Sequence, residues 1–265
     1  MKGSFLFLGT GASAGVPVIG CLCLVCQSKD PHNQRLRPSG LLTIGERAFL
    51  IDIGPDFRQQ CLRYKILRLD GLLLTHTHYD HIAGIDELRI FNVRQKHPFP
   101  CLLSSDSFAD LQARYSYLFK PRSQNTSYAA EIDCRLLGGS SGMAEFCGVK
   151  IGYTTYAQGG MKVTGFRVGP FAYISDIREY GDEIYPFLEG VEHLVLSALR
   201  PEPSLVHFSL QEAVMFSEKA GVRQTWLTHL SHSIDHESTC RQLPPSVQPG
   251  YDGFEFTFTI GAPYV

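Results

Sequence analysis

Short apolar runs alternate with polar turns along the whole chain. Residues 5–8 (Phe-Leu-Phe-Leu), 41–44, 48–53, 72–74 and 101–103 are apolar runs bounded by Gly, Pro, Asp or Ser, the mark of buried strands. Residues 41–44 and 48–54 flank Gly45-Glu46 and read as a hairpin. Helical spacing runs over 56–64, 82–94 and 107–119. The glycine-rich segment 138–142 reads as a flexible loop that opens a second half of strands. There 149–151 and 153–156 lead to Gln158-Gly159-Gly160, and 163–168 with 171–176 form a hairpin. A short helix over 182–189 and a buried strand over 193–196 follow. Ser209 with Glu212 is a capping box, so a helix is expected to about Ala220, stopping at Gly221. Residues 224–229 are one more strand, and the alternating 254–260 is the last. No internal repeat is visible.

The chemistry concentrates after the run Leu72-Leu73-Leu74. There Thr75-His76-Thr77-His78-Tyr79-Asp80-His81 places four potential metal ligands within six positions. Extended backbone puts alternate side chains on one face, so His76 and His78 can reach one point. Asp80 is expected to cap the following helix and His81 to enter its first turn. Two neighbouring points, one with imidazoles and one with a carboxylate and an imidazole, suit two divalent cations. A lone His-x-His is common by chance; all four ligands at a strand end are not.

Cys21-x-Cys23-x-x-Cys26 supplies three thiolates in one loop. A structural zinc needs four ligands, so a histidine from elsewhere is expected. Just upstream, the glycines of 9–17 suggest a phosphate cradle. Their spacing fits neither a Walker loop nor a dinucleotide fingerprint, and a tight loop in close approach to the active-site floor is the better reading. Phe108, Tyr115, Tyr117 and Phe119 would suit a lid or a homodimer face, but an aromatic stripe is more often core.

With 265 residues, 44% hydrophobic and 19% charged, the chain reads as one soluble domain over 1–265. A net charge of −2 gives no basic field for nucleic acid or acidic membranes, and no run approaches a membrane span. The apolar start is too short for a signal peptide. Eight cysteines, three clustered and five scattered, fit a reducing cytosol.

Asp52, His76, Asp176 and His229 each end an apolar strand, which is how a site on one edge of packed sheets looks. Asp52 could orient the metal loop or simply form a turn; the residue alone does not distinguish these. The set Thr75-His76-x-His78-x-Asp80-His81, with Asp52 upstream and Asp176 and His229 downstream, resembles the metallo-β-lactamase superfamily across nearly the whole chain. That resemblance implies an α/β fold, a four-layer αβ/βα sandwich, with His76 and His78 on one metal, Asp80, His81 and His229 on a second, and Asp176 bridging. Gly9-Thr10-Gly11 through Cys26, with Thr228-His229-Leu230-Ser231-His232, looks like the PhnP group of cyclic phosphodiesterases. By that resemblance Cys21, Cys23, Cys26 and His232 hold a structural zinc, and His207 sits over the scissile phosphate.

One departure stands out. The family places a third histidine on the first metal, whereas no histidine occurs here between His97 and His193, and Gln158 stands in its place. A glutamine carbonyl is a weaker, neutral donor, so the alternatives for the first metal are loose binding, a harder ion such as manganese, or no ion at all. The resemblance implies a hydrolase of small, including cyclic, phosphodiesters through a di-metal-activated water. The alternatives are a zinc-stabilised binding or carrier protein of this fold, a tRNA-processing nuclease, and a thioester or lactam hydrolase. No long Gly/Pro-rich arm for gripping tRNA is present.

Overall fold

The computed structural model describes residues 1–119 and 128–261. The first part of the chain carries β1 (Lys2–Gly9), β2 (Ser39–Ile44), β3 (Arg47–Ile51), α1 (Phe57–Arg63), β4 (Gly71–Leu73), α2 (Tyr79–Ile82), α3 (Arg89–Gln95), β5 (Phe99–Leu103), α4 (Ser105–Arg114) and β6 (Ile132–Leu136). The second carries β7 (Ser141–Phe146), β8 (Val149–Gln158), β9 (Met161–Val168), β10 (Phe171–Ile174), α5 (Ile184–Leu188), β11 (His193–Ser197), α6 (Leu210–Lys219), β12 (Gln224–Thr228), α7 (His236–Gln242), β13 (Val247–Pro249) and β14 (Glu255–Thr259). They form two seven-stranded sheets, ordered β14-β1-β2-β3-β4-β5-β6 and β13-β12-β11-β10-β9-β8-β7. In the first sheet β3 to β6 run parallel; in the second β10 to β13 do.

Three apolar clusters mark the three interfaces of the four layers. Phe5, Phe7, Phe49, Phe171 and Tyr173 meet between the sheets, with Phe5 and Phe171 ring centroids 5.0 Å apart. Leu50, Leu72, Phe57, Phe91 and Leu111 join the first sheet to α1, α3 and α4. Ile174, Leu196, Leu188, Ala213 and Phe216 join the second sheet to α5 and α6. The strands of a parallel sheet are apolar on both faces because both are covered, which is why Leu72-Leu73-Leu74 reads as a solid run.

Several sequence expectations need correction. Asp80 does not cap α2; His78 is the cap residue and Asp80 lies in the first turn, its carboxylate turned to His229 instead. Residues 82–94 are not one helix. At Gly84 the backbone N–H leaves the helical ladder to reach Ile53 O at 2.9 Å. The chain resumes as a 3-10 turn over Ile85–Leu88 and then α3. Helix 107–119 is α4 plus a 3-10 turn over Ser116–Phe119, starting earlier because the Ser104 hydroxyl accepts from Ser107 N–H. Its aromatics pack against the α-layer core, as the core reading expects. Ser141 and Gly142 belong to β7 rather than a loop, and β6 before them completes the first sheet. The capping box at Ser209 and Glu212 is present. Helix α7 and strand β13 were not foreseen; α7 is short and polar, and the three residues of β13 are too few to show a pattern. No helix among the described residues is long and apolar enough to cross a membrane.

Candidate metal centre

Parallel strands deliver their C-terminal ends to one edge of the sandwich, and the candidate residues sit there. His76 and His78 follow β4, Asp176 follows β10 and His229 follows β12. Asp52 (φ 59°), Asp176 (φ 52°) and His229 (φ 59°) all adopt the left-handed backbone conformation directly beyond their strands. Non-glycine residues avoid this region, and where it persists the surrounding packing holds it for a purpose. Here it turns each strand-end side chain inward over the edge.

The donor atoms converge. His76 Nε2 lies 3.0 Å from His78 Nδ1 and 3.1 Å from Asp176 Oδ2. His81 Nε2 lies 3.1 Å from the same Asp176 oxygen and 3.5 Å from Asp80 Oδ2. His229 Nε2 is 3.2 Å from Asp80 Oδ2 and 3.3 Å from Asp176 Oδ1. Donors about 2.1 Å from one tetrahedral ion stand roughly 3.4 Å from each other. Two clusters fit that spacing, His76-His78-Asp176 and Asp80-His81-His229, and Asp176 faces both.

Asp52 settles into an orienting role. Fully buried, it accepts from His81 Nδ1 at 2.7 Å, Thr75 N–H at 2.8 Å and Thr75 Oγ1 at 2.8 Å. His81 must therefore carry its proton on Nδ1, leaving the Nε2 lone pair toward the cluster. The Thr75 hydroxyl, spent as a donor on Asp52, accepts from His76 Nδ1 at 2.9 Å and fixes that ring in the same way. One carboxylate thus sets the tautomer of two histidines. Two close backbone approaches hold the turn against the loop: Ile53 N–H donates to His81 O at 2.7 Å, and a Cβ on Gly54 would meet Asp80 O at 2.2 Å. Sequence offered no signal for the support from α4, where Thr77 Oγ1 donates to Asp110 and Arg114 Nη1 donates to Thr77 O at 2.8 Å.

The electrostatics call for positive charge. Burial raises the Asp176 carboxyl, but the charges of His229 and His81 outweigh it and hold it well below the ordinary range. Burial likewise disfavours charge on His81, yet Asp176, Asp52 and Asp80 pull it well above the usual histidine value. Three buried carboxylates therefore favour cationic charge among them, at the point where donor spacing suits an ion.

His207 joins this group rather than either cluster alone. Its Nδ1 lies 3.9 Å from Asp176 Oδ1 and its ring stacks on His229 at 4.7 Å. Burial, then the charge of His229, pushes it down to about 4. Gln158 Nε2 donates to His207 Nε2 at 2.9 Å. The Gln158 Oε1 atom is buried and has no partner among the described residues, so it is the one atom of this side chain free to act as a ligand.

The cysteine loop is closed by His232. Its Nδ1 stands 3.3 Å from Cys21 Sγ and 3.6 Å from both Cys23 Sγ and Cys26 Sγ. A zinc with bonds of 2.3 Å to sulfur and about 2.1 Å to nitrogen has sulfur–nitrogen edges of about 3.6 Å. The Cys26 N–H donates to Cys23 Sγ at 3.4 Å and lowers that thiol to about 6, whereas burial pushes the Cys26 thiol up to about 11. The glycine loop supports this corner. Ala12 N–H donates to Leu230 O and Leu230 N–H to Thr10 O, so it grips the turn that carries both His229 and His232. Beneath it, buried Arg35 donates to Thr10 Oγ1 at 2.8 Å, and Asp252 accepts from Thr10 and Leu36; sequence patterning gave no hint of this network.

A family model described as a Beta-lactamase superfamily domain matches residues 47–230. The chain belongs to the metallo-β-lactamase superfamily. Within the superfamily it is PhnP-like: a solved structure described as a new diphosphatase from the PhnP family is 34% identical, with 97% of this chain and 98% of that one covered and a TM-score of 0.89. An octanoyltransferase of Porphyromonas gingivalis is 31% identical over 256 residues, 94% of this chain and 50% of that protein. Coenzyme PQQ synthesis protein B of Methylobacterium nodulans is 30% identical over 108 residues, 36% of this chain and 34% of that one. The chain spans about half the length, or less, of these curated relatives. Zinc-bound PqqB from Methylobacterium extorquens shares the metallo-β-lactamase fold, with a TM-score of 0.74 at 15% identity.

Proposed function

We propose that this chain is a metal-dependent hydrolase of small phosphodiesters. The observation that carries the reading is the placement of Asp176 between two donor clusters, with His207 beside it. His76, His78, Asp176 and the Gln158 carbonyl would hold one ion, and Asp80, His81, Asp176 and His229 the other. Cys21, Cys23, Cys26 and His232 would hold a structural zinc. When bound, the paired ions supply a hydroxide at neutral pH and screen the phosphoryl oxygens.

The chain's own residues do the rest. Asp52 and Thr75 keep the ligand lone pairs aimed before the substrate arrives, so little reorganisation is needed at reaction. His207 is neutral at pH 7, and with Nε2 accepting from Gln158 its proton sits on Nδ1, facing the Asp176 side. It therefore donates a hydrogen bond to a phosphoryl or leaving oxygen rather than delivering a whole proton. The retained ligand set favours a hydrolase over a carrier protein. The PhnP-family neighbour named a diphosphatase supports chemistry at phosphorus.

The test is elemental analysis of protein purified without added metal, with turnover of bis(p-nitrophenyl) phosphate under zinc and under manganese. About three ions per chain with turnover is the expected result. About one ion per chain, retained in the His76→Ala/His78→Ala variant, with no turnover under either metal, would overturn it. An octanoyl thioester run in parallel is expected to be inert.

A further inference from the structure

We propose that the outer face of α1 and α3 docks on a bilayer surface that carries anionic headgroups. The net charge of the chain is −2, but it is unevenly spread. Residues 57–69 and 89–97 hold seven of the 24 Lys and Arg and none of the 26 Asp and Glu. Arg68 and Arg89 are paired with Asp70 and Asp86. Arg58, Arg63, Lys65, Arg94 and Lys96 are exposed and have no ion-pair partner among the described residues. Leu62, Leu67, Ile90 and Val93 stand among them, 45% to 73% exposed.

These side chains share one surface. Both helices lie in the layer outside the first sheet, where Phe57 and Phe91 face the core with ring centroids 6.1 Å apart. Gln95 Nε2 donates to Leu69 O at 2.5 Å and ties the end of α3 to the segment after α1. The exposed cations and aliphatic side chains of the two helices therefore face away from the sheet together. Each helix also carries the chain back from the metal-bearing edge to the start of the next parallel strand, β4 or β5. Arg63, Lys65, Leu67, Arg94 and Lys96 thus lie at the end remote from the metal ligands, and a surface docked there leaves the centre open.

The composition selects a lipid surface over other anions. The helix dipole accounts for a cation in each last turn. It does not account for Arg58, nor for four exposed aliphatic side chains set among the charges. At a bilayer the two kinds act together: Lys and Arg reach the headgroups while Leu, Ile and Val enter the acyl boundary. A single-stranded nucleic acid calls for exposed rings to stack on its bases, and neither Phe57, Tyr64 nor Phe91 is exposed. Each Lys or Arg close to an anionic surface strengthens binding about fivefold. Five of them make a reversible, salt-sensitive contact. The docking requires neither bound metal nor turnover, so it stands or falls apart from the hydrolytic reading.

The test is sedimentation of the purified protein with sucrose-loaded vesicles. These are phosphatidylcholine alone or with about one-third phosphatidylglycerol, at about 0.1 M and about 0.5 M salt. The wild type is expected to bind the anionic vesicles at least about tenfold more tightly than the neutral ones at the lower salt, and to be released at the higher. Arg63→Gln/Lys65→Gln/Arg94→Gln/Lys96→Gln is expected to lose about a hundredfold or more of the anionic binding. Leu67→Ser/Val93→Ser, which keeps every charge, is expected to lose about threefold or more. All six positions are exposed, so unchanged thermal melting is the control for folding. Equal binding to both kinds of vesicle, or anionic binding that survives the four-charge variant, overturns the proposal. So does anionic binding that Leu67→Ser/Val93→Ser leaves intact, which would mark the face as a site for an acidic protein or a nucleic acid.

Discussion

Replacing Asp52 by Asn tests whether one carboxylate aims the site. Asparagine matches aspartate in shape and tolerates the left-handed backbone at φ 59°, so packing is unchanged. Its single carbonyl can still accept from Thr75 N–H. Its amide then occupies the place of Oδ2, facing His81 Nδ1 and Thr75 Oγ1 as a donor where both need an acceptor. His81 must move its proton to Nε2, which removes the lone pair from the metal cluster. A charge-assisted hydrogen bond is worth about 1.5–3 kcal/mol. That converts to roughly a tenfold to hundredfold loss of affinity at the Asp80-His81-His229 cluster, the size seen when outer partners of metal ligands are removed. Competition against a chromogenic zinc chelator reads this directly, with calorimetric melting of the metal-free protein as the control. If Asp52 only shapes a turn, Asn would leave metal affinity within about twofold of wild type, and the reasoning given for the tautomers of His76 and His81 would be refuted.

Three further outcomes are expected. Cys23→Ser should lose one zinc per chain by elemental analysis and lower kcat as well as Tm, because His232 and His229 share one turn; zinc loss with unchanged kcat would separate the two sites. Gln158→His should tighten zinc on the order of tenfold in the same chelator competition and narrow any preference for manganese; unchanged zinc affinity would place residue 158 outside the ligand set. His236 is pushed down to about 4 by burial and by the charge of neighbouring Arg35. The unfolded chain therefore takes up a proton near pH 6.5 that the folded protein refuses, so the stability His236 allows is full above about pH 6.5 and falls as pH drops toward 4. Urea unfolding at pH 7 and pH 5 should show wild type losing stability relative to His236→Gln; parallel losses would contradict this.

The candidate ligands could be picked out in the sequence because chemistry and position coincide in them. His76, His78, Asp80 and His81 are close in the chain, and Asp176 and His229 each end an apolar run. Asp52 was ambiguous for a physical reason: a turn aspartate and an orienting aspartate look alike until the partner 29 residues on, His81, is seen against it. Contacts made over long separations left no trace. Asp110 beneath Thr77 and the Arg35–Thr10–Asp252 network lie on unremarkable polar positions. The helix expected over 82–94 failed because periodicity cannot register that Gly84 bonds to Ile53 instead of its own turn.

The first sheet places its opening strand beside its closing one: β1 pairs with β14, Phe5 opposite Phe256. The cysteine loop waits in the same way for His232, more than 200 residues later. Until those distant segments dock, β1 has one unpaired edge and the thiolate cluster lacks its histidine. Pairing segments so far apart in sequence is a high-contact-order step that is intrinsically slow. The inner strands can therefore collapse first, whereas the zinc loop and the Asp80-His81-His229 cluster are complete only once the segment carrying His229 and His232 docks.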